Sequence, residues 1–404
     1  MAKNIIRIGK KEKKYVEEVL ATQFSASKGI NMLGRLEKEF SKKFGIQYSI
    51  GHTNGTATLH SALYAAGVRA GDEVIVPPLT MSATTMAVLH ADAVPVFADV
   101  DEDTFQIDPK SIKKLITPKT KAIITVALYG LSPEMDEIMD IAKKNKIKVI
   151  EDDAQCFLGT YKGKMVGAIG DLSSFSFQGS KHMTAGEGGM VCTNDGDMAD
   201  AVRKFSVLGY AGVSAKVGKI TKDDIQNPNY ERHVSMGYNY RMSELCAAVS
   251  LGQLERLEEL VDRRIAVAKL FTEAIGDCSW LKPQKTPEYS KNSYWAFAVR
   301  LTHPKISWVE FRKKFMEFGG DGIYATWKLT YLEPMFKNWN LSGKEKVIEK
   351  TYDGKLQNFT EGLCPVAEKI QKESLAFKTN YWDWNRAKKQ AEILKKTIKF
   401  YDKR

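Results

Sequence analysis

Apolar and polar positions change their period several times along the chain, and each change marks an element. Leu36, Phe40 and Phe44 recur every four residues, which places them on one face of a helix over Arg35–Phe44. Lys10–Ala21 reads as an earlier helix, with the Gly- and Ser-containing Ser25–Leu33 as a loop between the two. A third helix opens after Thr56, with Leu59, Ala62, Leu63 and Ala66 on its buried side. Short apolar runs then alternate with helical stretches. Val74–Val76, Val94–Val100, Ala122–Leu128 and Ile147–Ile150 read as strands; Thr84–His90, Pro109–Leu115 and Glu134–Lys144 read as helices. Ser132 and Pro133 suit the N-cap and first position of the last of these. Continuous apolar strands separated by helices predict a mainly parallel sheet covered on both faces.

Two more strands, Leu172–Phe177 and Met190–Thr193, flank a glycine-rich turn. Gly209–His233 is polar and long for a connection inside a compact domain, so it reads as a functional or mobile loop. A long helical region follows Met242, with Leu254, Leu257, Val261, Ile265 and Ala268 on one face. It is expected to link two domains, with the boundary near Asp262. Residues 1–262 then form a large domain and 263–404 a smaller α+β one. The smaller one carries SYWAFAVRL as a strand and helices at Trp308–Glu317 and Arg386–Phe400.

Candidate chemistry centres on the turn. Lys181 lies between the two strands, five residues after Ser176, in GDLSSFSFQGSKHMTAGEGGMVCTN. A loop lysine is ordinarily a solvated charge. Here the flanks are apolar, and a desolvated lysine loses its proton readily and can attack a carbonyl. KIKVIEDDAQ is a buried strand ending in carboxylates, of which Asp152 and Asp153 are equal candidates for pairing with a cationic ring nitrogen. SIGHTNGTATLHSA is a strand, a turn at Gly55 and Thr56, and a helix start, where free N–H groups and the helix dipole favour phosphate. An amine, a carboxylate and a phosphate nest are what pyridoxal phosphate needs.

IEDDAQ, SFSFQGSKHMTAGEGGMVCTND and GYNYRMSELCAA, in that order, resemble the DegT/DnrJ family of sugar aminotransferases over about Met32–Leu260. The resemblance implies the aspartate-aminotransferase fold (fold type I): an α/β large domain with a mostly parallel sheet, plus a small C-terminal domain. It implies pyridoxal phosphate, with pyridoxamine phosphate as the intermediate carrier of nitrogen between glutamate and a keto sugar. It makes Lys181 the catalytic amine. It selects Asp152 for the ring nitrogen, because Gln155 matches the residue near the phenolic oxygen. Gly55, Thr56 and Ser176 would hold the phosphate. Asn239 resembles the asparagine that reaches the neighbouring subunit's phosphate, which implies a homodimer with shared sites. Met81 stands where many relatives stack an aromatic on the ring. Tyr324, Trp327 and Tyr331 are candidates for the sugar pocket, with ordinary core or surface aromatics as the equal alternative. A sugar dehydratase and a catalytically silent regulator are the alternatives. A one-residue shift would put His182 in the lysine's place, as in dehydratase branches, but Lys181 keeps the family spacing to Ser176 and Glu187.

Composition narrows the rest. The 404 residues carry a net charge of +11, much of it in Lys10–Lys14 and Lys389–Lys399. No nucleic-acid-binding signature accompanies it, so these lysines read as solvated helix faces, with a local pull on an anionic sugar as the weaker reading. No apolar run nears the ~20 residues of a membrane span. Without an apolar signal core at its start, the chain is expected to be cytoplasmic. The cysteines, Cys156, Cys192, Cys246, Cys278 and Cys364, are scattered without a CxxC pair, which indicates neither a metal site nor a disulfide framework.

Overall fold

The computed structural model describes residues 4–25, 28–217 and 220–402. Residues 26–27 of the expected first loop and 218–219 of the polar stretch lie outside the described residues. Seven strands build the central sheet: β1 (Tyr48–His52), β2 (Glu73–Val76), β3 (Val94–Phe97), β4 (Thr120–Val126), β5 (Lys148–Asp152), β6 (Leu172–Ser176) and β7 (Gly189–Thr193). Their spatial order is β1-β7-β6-β5-β4-β2-β3. From β3 to β6 every pair is parallel, and β7 runs antiparallel to both β6 and β1.

Alternating side chains bury both faces. Val74, Val76, Ala122, Ile124 and Ile150 join one apolar cluster with Leu59, Leu63, Val88 and Val202. Ile75, Ile123 and Val149 join another with Ile112, Met135 and Ile138. Pro95 is tolerated in β3 because that strand lies at the sheet edge, where no second ladder needs its N–H. The Gln357 side chain closes the free edge: its amide accepts from the Phe97 N–H at 2.7 Å and donates to the Phe97 carbonyl at 3.1 Å.

Several expected boundaries move. The second helix is Met32–Phe44, because Met32 extends the same four-residue apolar repeat into the core. β3 stops at Phe97, and Val100 makes only an isolated bridge to Ile107. Ser132 caps nothing: its hydroxyl bonds the Pro133 carbonyl, and the helix is Met135–Asn145. The region after Met242 is two helices, Glu244–Leu254 and Leu257–Ile275. At their junction Arg256 is drawn to the Ile6 carbonyl and Glu12, so the break receives the N-terminal arm. The second of these helices runs unbroken through Asp262.

A second sheet of β8 (Leu281–Pro283), β9 (Ala296–Leu301), β10 (Tyr324–Ala325) and β11 (Ser374–Lys378) has the order β8-β9-β11-β10, all antiparallel. It packs on Leu257–Ile275 and Trp384–Tyr401 through Phe271, Phe297, Phe377 and Leu394. Short strands at Thr160–Tyr161, Lys164–Met165 and Ser290–Lys291 make a third sheet. Between β10 and β11 the chain folds back onto the large sheet: Tyr331, Phe336 and Phe359 surround Phe97.

Candidate active site

The C-terminal ends of parallel strands open on helix N-termini, the usual ligand edge of such sheets. Here that edge forms a cavity of about 780 Å³, lined by Gly55, Thr56, Met81, Asp152, Gln155, Ser176 and Lys181 among others. Residues far apart in sequence therefore meet in one space. At one end the helix Gly55–Ala65 begins. The Asn54 side chain accepts from the Ala57 N–H at 2.9 Å, and the first turn at Gly55 and Thr56 faces the cavity. Ser176 ends β6 directly opposite. A Cβ on Gly55 would stand 2.8 Å from the Ser176 Cβ, so glycine is what lets helix and strand approach this closely. Free N–H groups, a helix dipole and a hydroxyl together suit a phosphate.

Asp152 ends β5 and is buried. It accepts from the Thr84 hydroxyl at 2.9 Å and the Ala154 N–H at 3.2 Å. Burial raises its carboxyl above the ordinary range, while Thr84, Ala154 and Lys181 pull the other way. A cation beside it would supply the counter-charge that burial leaves wanting. Asp153, the equal candidate by sequence, is outside the cavity lining. It faces the core, where its Oδ2 has no partner and burial with the charges of Glu151 and Asp152 pushes it well up. Gln155 accepts the Tyr129 N–H at 2.9 Å, which leaves its own N–H groups as the donors of that side chain. Tyr129 holds a left-handed φ of 63° to make this contact.

Lys181 reaches the same cavity, with Nζ 4.9 Å from the centre of the Trp295 ring. Burial pushes its amine down to about 8; Asp152 raises it and Arg264 lowers it further. His182 is placed differently. It is fully buried behind the loop, with Nε2 2.9 Å from the Ser293 carbonyl and its ring against Phe157. Burial, then Arg264, holds it far below its ordinary range and so neutral.

Met81 is half exposed at the cavity rim. Asn239 is exposed and outside the cavity lining, although its neighbour Tyr240 is part of it. Trp327 lines the cavity, and Tyr324 and Trp327 line an adjoining one of about 280 Å³. Tyr331 is instead core, buried against Phe97 and bonded to Glu368. Sequence reasoning passed over Thr84, Trp295 and Arg264, which reach the site from three separate elements with no local motif. Asn54 did carry a signal, as an N-cap before a helix start.

The set fits pyridoxal phosphate on structural grounds. Anion donors, a buried carboxylate short of counter-charge and an amine of lowered proton affinity line one cavity. Among the described residues no group of His, Cys, Asp and Glu could hold a metal, all five cysteines are free, and no helix is long and apolar enough to cross a membrane.

Known proteins resemble this chain in sequence and fold. GDP-perosamine synthase of Escherichia coli O157:H7 is 39% identical over 72% of this chain and 74% of its own length. The spore coat polysaccharide biosynthesis protein SpsC of Bacillus subtilis is 38% identical over 66% and 67%. The crystal structure of an aminotransferase from Psychrobacter cryohalolentis superposes with a TM-score of 0.84 at 29% identity, covering 98% of this chain and 97% of that one. The family model of DegT/DnrJ/EryC1/StrS aminotransferases matches residues 6–353. The chain is a pyridoxal-phosphate-dependent enzyme of fold type I and belongs to the DegT/DnrJ/EryC1/StrS aminotransferase family.

Proposed function

We propose that this aminotransferase moves nitrogen from glutamate to the ketone of a nucleotide-linked sugar, for amino-sugar, surface-polysaccharide or antibiotic synthesis. The relatives named for GDP-perosamine and for spore coat polysaccharide support this substrate class. The observation that carries the reading is the Lys181 amine, lowered to about 8, in one cavity with Asp152. When bound, pyridoxal phosphate supplies an aldehyde that takes up amines and a ring that draws electrons from the carbon losing its proton.

The chain's residues do the rest. Gly55 and Thr56, with the Ser176 hydroxyl, would hold the phosphate end. Asp152, oriented by Thr84, would hold the proton on the ring nitrogen, and Gln155 would donate to the phenolic oxygen. Lys181 would hold the cofactor covalently and, as an amine whose proton affinity burial lowers, could take up and return the proton that transfer moves. Trp295 walls the amine from solvent.

The burial of His182 argues against a dehydratase in which histidine replaces the lysine. Lys181, Asp152 and Gln155 in one cavity argue against a silent regulator. We place the division of the chain at 1–262 and 263–404, supported by the apolar cluster that one face of the second sheet makes with the helices Leu257–Ile275 and Trp384–Tyr401, while its other face packs toward the large sheet. We also assign Asn239 to a second subunit's phosphate in a homodimer, supported by its exposure beside Tyr240. Mixing Lys181→Ala with Asn239→Ala subunits should restore activity; no recovery despite subunit exchange would remove that assignment. For the reaction itself, the protein is incubated with glutamate and a panel of nucleotide-linked keto sugars and read by mass spectrometry. Equal amounts of 2-oxoglutarate and amino sugar are expected. Deoxy sugar with ammonia release would overturn the reading.

A further inference from the structure

Behind the lysine loop lies a buried cation without a counter-ion. Arg264, on the helix Leu257–Ile275, is 1% exposed, and among the described residues it pairs with no carboxylate. Its partners are neutral oxygens: the carbonyls of Ser180 at 2.7 Å, Lys181 at 3.0 Å and Trp295 at 2.8 Å, and the Thr379 hydroxyl at 3.2 Å. Its Nε has no partner. Burying an unpaired charge is strongly unfavourable, and a salt bridge or an apolar residue would serve packing alone. The arrangement therefore calls for a role that needs charge.

The Ser180 and Lys181 carbonyls flank the Lys181 α-carbon, so one guanidinium fixes both peptide planes and with them the direction of the side chain. Trp295 adds a bond from its indole N–H to the same Ser180 carbonyl at 3.0 Å. Arg7 of the N-terminal arm supports the next turn, donating to the Lys181 carbonyl at 2.7 Å and the His182 carbonyl at 2.5 Å.

We propose that Arg264 is a positioning residue for Lys181: by holding the carbonyls on both sides of the lysine it aims the amine into the cavity, with an uncompensated charge set behind it. Opposing it are the Asp152 carboxylate and the Trp295 ring face, both of which favour an ammonium. Glu187, His90 and Tyr240 line the same cavity, and Arg7 with the neutral His182 stands behind the loop. Burial is the largest cause of the lowered amine and Arg264 adds to it, so without Arg264 the pull of Asp152 is less offset and the amine keeps its proton to higher pH.

The proposal rests on Lys181 being the working amine, but its test needs neither cofactor nor substrate. Its failure would leave the transfer reaction standing, and failure of the transfer reaction would leave this measurement intact. Cofactor-free full-length protein is acetylated with limiting acetic anhydride across a pH series, and the Lys181 peptide is quantified by mass spectrometry. Wild type should show a midpoint near 8. In Arg264→Gln the midpoint should rise by about one unit or more, and in Arg264→Lys, which keeps the charge, it should stay within about half a unit. The plateau rate at high pH should change at least about threefold in Arg264→Lys, because one ammonium cannot replace both guanidinium nitrogens, Nη2 on the Ser180 and Lys181 carbonyls and Nη1 on the Trp295 carbonyl and Thr379 hydroxyl. An unchanged midpoint in folded Arg264→Gln overturns the proposal. If that variant does not fold, Arg264→Lys decides: a wild-type plateau rate overturns the proposal, and an altered one sustains it.

Discussion

At the C-terminal edge of the large sheet, the cavity side and the core side take neighbouring residues and give them opposite chemistry. Asp152 and Asp153 are adjacent carboxyls, yet the first meets Thr84, Ala154 and Lys181 while the second meets no partner on Oδ2. Lys181 and His182 are adjacent bases, yet one lines the cavity and the other is sealed against Phe157 and Ser293. At the end of β5 successive side chains point to opposite faces of the sheet, and after the turn at Gly179 the next two side chains also part, so a shift of one residue exchanges a reactive group for a structural one. The residue type permits the chemistry, and the side it faces decides whether it happens.

The sharpest way to break this comparison is at the two bases. Lys181→Ala should lower amine transfer by at least about a thousandfold, since both attachment and proton transfer go with it. His182→Gln should lower stability by about 1–3 kcal/mol and leave turnover within about tenfold of wild type. Steady-state rates and thermal melting of both variants would expose the error if the losses were reversed. The two carboxyls come next. Asp152→Asn should reduce turnover by about a hundredfold or more, and Asp153→Asn by less than about threefold. Equal effects would mean that strand β5 is read in the wrong register.

A pH series sharpens the same contrast. The folded-state affinity of Asp153 for its proton is raised by burial first, then by Glu151 and Asp152. Its contribution to stability is therefore complete below the ordinary carboxyl range and is lost as pH rises through the raised value. Asp153→Asn should remove part of that decline, so calorimetric melting curves of variant and wild type should diverge with increasing pH in the variant's favour. Parallel curves would show that Asp153 is not the buried acid described. The smallest effect belongs to the rim. Met81→Phe, which adds an aromatic face there, should tighten cofactor binding by about three- to tenfold; weaker binding by equilibrium titration would place Met81 away from the ring.

Much of this edge was legible because buried parallel strands are written as unbroken apolar runs. Ile123–Ile124 and Val149–Ile150 announce β4 and β5, and the glycines after Lys181 announce its turn. The helix Gly196–Ser206 was legible too and was passed over: Asp195 caps it by accepting the Met198 N–H, and Ala199, Val202 and Phe205 share its buried side. Trp327 and Tyr331 were not separable. Both are aromatics in one short segment, and only the return of the following residues to the large sheet puts Tyr331 against Phe97. Arg264 was invisible for a different reason. In sequence it is one more charge on a helix, and its role exists only where the Ser180 and Lys181 carbonyls reach it.

The proposed chemistry turns on the amine at position 181, and no other group, holding the cofactor. Reduction of the pyridoxal-phosphate-loaded protein with borohydride, digestion and peptide mass spectrometry reads this directly. A single phosphopyridoxyl label is expected on Lys181, absent from Lys181→Ala and retained in His182→Gln. A label on another lysine, or loss of the label in His182→Gln while that protein remains folded, would contradict it.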